Sequence, residues 1–141
     1  MERSATILRA SPDGKRCIAL DNDSFEEVLA YIGQDDRHKN KFLDIVAVII
    51  GGHRNTDLYD KEDIDPQCKD VTAMKFFKGQ ENDRIYCKEV KRGDKTLVVI
   101  MGVLHSRKKS TRNTKREEGL IRRVASYSYP DDQIHEKRPS K

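Results

Sequence analysis

The sequence predicts an α+β domain: a small antiparallel twisted sheet with its N-terminal helices packed on one face and charge on the other. Three observations predict it. Apolar residues between about 24 and 50 recur at helical spacing, from Asp70 onward they recur at strand spacing, and Thr96 to Leu104 is apolar at nearly every position. A run of that last kind suits a central strand buried on both faces.

The elements follow in order. Ala5–Leu8 and Arg16–Leu20 flank Ser11-Pro12-Asp13-Gly14, a turn signal, so a short hairpin or a strand and loop opens the chain. Asp23 or Ser24 can cap a helix whose Phe25, Val28, Leu29 and Ile32 share a face, with Glu26 and Glu27 in its first turn and Gly33 at its end. A second helix is expected from about Asp36 to Ile50, with Phe42, Leu43, Ile45, Val46, Ile49 and Ile50 on a broad apolar face and Gly51-Gly52 as its stop. The β-branched residues from 45 to 50 would also suit a buried strand. Residues 53–69 are polar, acidic and contain Pro66, and read as a loop.

Three strands follow, at about 71–77, 84–90 and 96–104, joined by KGQEND and by the hairpin loop KRGDK. The middle one alternates, with Ile85 and Cys87 on one side and Tyr86, Lys88 and Val90 on the other. Thr114 to Tyr127 reads as a helix with the stripe Leu120, Ile121 and Val124, stopped by Pro130. One domain, residues 1–129, and a polar C-terminal tail, residues 130–141, account for the 141 residues.

Composition narrows the function classes. The net charge is only +4, but residues 1–69 carry 10 Lys+Arg against 14 Asp+Glu, whereas residues 70–129 carry 15 against 7. That asymmetry points to a polyanion or an acidic protein as partner of the C-terminal half. Cys17, Cys68 and Cys87 have no C-x-x-C spacing, and no Cys/His/Asp/Glu group has metal-ligand spacing, so no disulfide framework, metal or other cofactor is expected. The apolar run Ile45–Ile50 is too short for a membrane span, and MERSATILRASPDG has no secretion signal, so a cytoplasmic location is expected.

The chemistry-bearing residues cluster late in the chain. Lys75, Lys78, Arg84, Lys88, Arg107, Lys108 and Lys109 lie on, or at the ends of, the three late strands, where a meander would bring some of them together. Convergence without counter-charge is costly, and an anion such as an RNA or DNA phosphate would relieve it. The plainer alternative is that alternate residues face water and never meet. His105 stands beside this group; like charge would depress its pKa and suit it to general acid/base work, although a lone histidine is also a common structural residue. Glu117 and Glu118 read as a pair that complements the helix dipole.

The stretch MKFFKGQENDRIYCKEVKRGDKTLVVIMGVLHSRKKSTRNTKREEGLIRRVASY resembles the C-terminal part of RelE/HigB-type toxins, in particular their phage-derived HigB-like branch. The likeness lies in a Lys-bearing strand (Lys75, Lys78), a strand opening with Arg84 and Tyr86, a charged turn at Lys91–Lys95, an apolar strand, the Lys108-Lys109 pair and a basic helix from Lys115 to Arg123. It implies a toxin of a type II toxin–antitoxin system, a metal-independent endoribonuclease acting on mRNA at the ribosome and restrained by an antitoxin, for which a helix-turn-helix protein is expected. On that reading Arg84 and Lys108 meet the transition-state phosphate, and His105, singled out by its basic surroundings and standing where the family's pattern has a phenylalanine, does acid/base work, with Tyr127 or Tyr129 as a second candidate. Lys75, Lys78, Lys88, Arg107 and Lys109 would position RNA. The alternative class is a non-catalytic protein of the same fold, either a ParE-like gyrase inhibitor or a phage accessory nucleic-acid-binding protein.

Overall fold

In the computed structural model, which describes residues 2–77, 83–106 and 115–136, the element order is β1 (Ala5–Ala10), β2 (Arg16–Asp21), α1 (Phe25–Gly33), α2 (Asp36–Ile50), β3 (Tyr59–Lys61), β4 (Val71–Lys75), β5 (Arg84–Lys91), β6 (Leu97–His105), α3 (Lys115–Ala125) and β7 (Ile134–His135). Local chemistry explains the boundaries. Asp35 caps α2 by accepting from the His38 amide at 2.8 Å. At the other end the amides of Gly52 and His53 return to the carbonyls of Ile49 and Val48, with Gly52 at φ +69°, a conformation a side chain would resist. Those caps decide the helix-or-strand ambiguity at residues 45–50 in favour of helix.

The described strands form one seven-stranded sheet in the order β3-β4-β5-β6-β2-β1-β7. The sheet is larger than expected, and it is mixed: β3 to β6 form an antiparallel meander and β1–β2 an antiparallel hairpin, but β2 runs parallel to β6 and β7 parallel to β1. The parallel β2–β6 pair needs a long crossover, which α1, α2 and the first three strands of the meander supply. Part of residues 53–69, expected as loop, adds an edge strand at Tyr59–Lys61 and a 3-10 turn at Pro66–Cys68. β4 ends at Lys75, two residues earlier than expected.

Each face of the sheet has its own core. Val28, Ile32, Phe42, Ile45 and Ile49 of α1 and α2 meet Ile18, Leu20, Met74, Ile85, Val99 and Met101 on one face. On the other, Ile121 and Val124 of α3, together with Tyr127, Tyr129 and Ile134, cover Ala73, Tyr86, Val98 and Ile100. The N-terminal helices therefore do pack on one face, but the opposite face is not an open charged surface, because α3 and the segment after it close it. Residues 130–136, placed in the polar tail by the sequence, include buried Ile134 and the strand β7. No helix among the described residues is long and apolar enough to cross a membrane.

Candidate functional site

Register brings the predicted residues together. Lys75 is the cross-strand partner of Arg84, and Arg84 that of His105, so the three stand abreast on β4, β5 and β6. Directly opposed residues share a face. Here it is the face covered by α3, as Tyr86, two residues along from Arg84, shows by its place in the α3-side core.

His105 reaches that face through a β-bulge. Simple alternation along β6 would put His105 with Val99 and Met101, toward α1 and α2. Instead the register with β5 shifts, so that Tyr86 pairs with Val103 and Cys87 with Met101, leaving Gly102 as the extra residue. Beyond it Val103 packs on the α3 side and Leu104 on the other. A Cβ at Gly102 would sit 3.4 Å from both the Tyr86 carbonyl oxygen and a Val124 methyl, and its carbonyl accepts from the Ser24 hydroxyl at 2.6 Å. The bulge is thus held from both faces.

Two carboxylates that sequence reasoning left out of the site complete the group. Glu62, just past β3, accepts from Arg84 Nη1 at 2.6 Å, and both side chains are nearly buried. Glu117, in the first turn of α3, lies 3.8 Å from His105 Nε2 and is only 3 % exposed. Burial at that level is more than a helix-dipole role requires, and it adds His105 as a partner to the reading of Glu117 as a helix-dipole group. The rings of Tyr86 and His105 lie parallel, 6.3 Å apart between centroids. Burial, then the charge of Glu62, pushes the Tyr86 phenol well above its ordinary value.

Within this cluster two buried polar atoms, Arg84 Nε and the Tyr86 hydroxyl, have no hydrogen-bond partner among the described residues. Buried donors without acceptors cost about 1–3 kcal/mol each. Arg84 therefore presents one edge of its guanidinium to Glu62 and keeps another donor unused, while a neutral phenol stands beside it. The arrangement keeps these donors out of solvent beneath α3, and Glu117 can stabilise the imidazolium of His105.

The remaining predicted residues fall elsewhere. Lys88 donates from Nζ to the carbonyl oxygens of Ala125 (2.9 Å) and Tyr127, capping the end of α3, and burial lowers its pKa. Its ammonium is thus engaged with the end of α3. Lys75 also donates to a backbone carbonyl, that of Thr56 at 2.9 Å, but on an exposed edge. Lys78, Arg107, Lys108 and Lys109 lie outside the described residues. Tyr129 donates to Asp21 Oδ2 at 2.6 Å, and burial followed by that hydrogen bond raises its pKa. Tyr127 is buried beneath the Arg3 guanidinium, 3.9 Å from its ring centroid.

Sequence signals for the missed features were thin. Gly102 inside an apolar strand is a bulge signal. Nothing in a linear sequence pairs Glu62 with Arg84. Comparison of the chain with protein-family models, with curated proteins and with solved structures finds no match.

Proposed function

We propose that this protein cleaves RNA without a metal, as an endoribonuclease toxin of the RelE/HigB type that acts in the cytoplasm on mRNA at the ribosome and is restrained by an antitoxin. The observation that carries the reading is the row Lys75–Arg84–His105 with Glu117 behind the histidine.

The chemistry runs as follows. The 2′-oxygen attacks the adjacent phosphorus in line, its proton passing to His105, whose imidazolium Glu117 stabilises. The P–O5′ bond breaks and the leaving 5′-oxygen takes a proton from water, whose hydroxide is neutralised by the proton that His105 returns to solvent, giving a 2′,3′-cyclic phosphate and a 5′-hydroxyl. The guanidinium of Arg84, at the end of β5, stabilises the charge that builds on the non-bridging oxygens. Lys75 meets the backbone phosphate at the open edge; Lys78, Arg107 and Lys109, expected to position RNA, and Lys108, expected on the transition-state phosphate, lie outside the described residues.

The second reading, a non-catalytic binding protein of the same fold, draws support from the Glu62–Arg84 pair, which already neutralises the guanidinium. One experiment separates them. Purified protein is incubated with ribosomes and a defined mRNA, and RNA ends are mapped. Cleavage that His105→Gln slows ~100-fold or more, with RNA affinity retained, supports the enzyme. Intact RNA with salt-dependent binding selects the binding protein, and neither binding nor cleavage removes RNA from consideration.

A further inference from the structure

Among the described residues the two exposed large apolar side chains, Leu29 (38 % exposed) and Leu43 (51 % exposed), line the same cleft. It lies between β1 and the helix pair, has a volume of about 840 Å³, and is floored by Leu8, Phe25, Ile32 and Phe42. A second bulge shapes it. Register between β1 and β2 shifts from Ile7 to Arg9, so Arg9 pairs with Ile18, a residue of the helix-side core, and Arg9 turns toward the helices. Lys39 stands on the α2 wall, so two exposed cations without an ion-pair partner among the described residues flank an apolar floor, against the carboxylate of Glu26.

We propose that this cleft docks an acidic amphipathic helix from a partner protein. The apolar floor and the two rim leucines suit the ridge of a helix with anchors at i, i+3 or i+4, and i+7, and the unpaired Arg9 and Lys39 call for carboxylates beside that ridge. α1, nine residues long, sets the reach. At 1.5 Å per residue it spans about 13 Å, so a partner helix of two to three turns covers the cleft. A small amphiphile lying on the floor would leave the outer side of Leu43 in water, whereas a helix covers it.

The test uses the full chain and two synthetic helical peptides that share a leucine ridge, one flanked by Glu and the other by Lys. Binding is read by fluorescence anisotropy and by the methyl NMR signals of Leu29 and Leu43. The Glu peptide should shift both leucines saturably. Arg9→Glu with Lys39→Glu should weaken it at least ~10-fold while gaining the Lys peptide, with the melting temperature unchanged. The surface change Leu43→Lys should also weaken it. Equal binding of both peptides by the parent, or no shift at either leucine, overturns the proposal. So does saturable dodecanoate binding without peptide binding, which makes the cleft a small-molecule site, or a concentration-dependent dimer that shields Leu43, which makes the occupant a second copy. Neither cleavage of RNA nor its failure bears on the result.

Discussion

The two faces of the sheet bury comparable apolar groups but treat polar atoms differently. Beneath α1 and α2, the Tyr31 hydroxyl donates to Asp83 at 2.7 Å, and the Tyr59 hydroxyl donates to Glu89 at 2.7 Å while accepting from Thr72. Beneath α3 lie Arg84 Nε and the hydroxyls of Tyr86 and Tyr127, which are the buried side-chain atoms without a partner among the described residues. Native cores satisfy nearly all such groups, and exceptions concentrate where function demands them. The α1/α2 face is built for stability and the α3 face keeps donors in reserve.

Breaking the Glu62–Arg84 pair should give the largest effect. Glu62→Leu leaves a guanidinium buried without its counter-charge and should cost about 3–5 kcal/mol in urea unfolding. Glu62→Leu with Arg84→Met should recover most of that loss, since an apolar pair of similar volume avoids the desolvation penalty. A double variant as unstable as the single one would show that Arg84 is not the reason Glu62 matters.

Alkaline pH should probe both faces at once. Burial is the main cause that raises the phenols of Tyr59, Tyr86 and Tyr129 above the ordinary value of 10.0, joined at Tyr59 by the charges of Cys87 and Glu89. A group with a raised folded-state pKa contributes stability that is whole below its unfolded value and is lost as pH rises toward the folded one. Stability should therefore decline from about pH 10 upward, by about 1.4 kcal/mol per pH unit for each such tyrosine. Replacing any one of them by Phe should make the decline shallower. An unchanged slope would mean the phenols ionise freely in the folded protein.

A smaller difference is expected at Tyr59. Tyr59→Phe removes a hydrogen bond to the Glu89 carboxylate and strips Thr72 of its acceptor, for an expected loss of about 1.5–3 kcal/mol. Thermal or urea unfolding reads it directly.

The sequence showed the parts of this comparison that depend on period and caps. α2 occupies the predicted residues because Asp35 and the Gly51-Gly52 pair act locally, and β5 alternates as written, with Ile85 and Cys87 under α1/α2 and Tyr86 and Val90 under α3. What depends on distant partners was hidden. The three residues of β3 have no periodic signature, and the parallel contact of β2 with β6 joins segments about eighty residues apart. The site was legible in part: Arg84 and His105 were named and do stand opposite each other, but the bulge that turns His105 and the carboxylates that meet it belong to the folded state. The contact of Lys88 with the end of α3 was hidden too, because a strand lysine that caps a helix is indistinguishable in sequence from one that faces a ligand.

Tyr86→Phe should have the smallest effect on stability and is the sharpest test of the reserve on the α3 face. Its hydroxyl is fully buried and unpartnered, so removing it discards a desolvated donor without breaking a bond; the change should be neutral or stabilising by about 1 kcal/mol. This is the reverse of the expectation for Tyr59→Phe, although both substitutions delete one phenolic oxygen. Because that hydroxyl lies out of reach of RNA, Tyr86→Phe should leave the cleavage rate and RNA affinity unchanged. A variant both more stable and slower would tie the unsatisfied hydroxyl to function. One that loses stability as Tyr59→Phe does would show the hydroxyl to be bonded in solution, and the contrast between the two faces would then rest on Arg84 alone at this site.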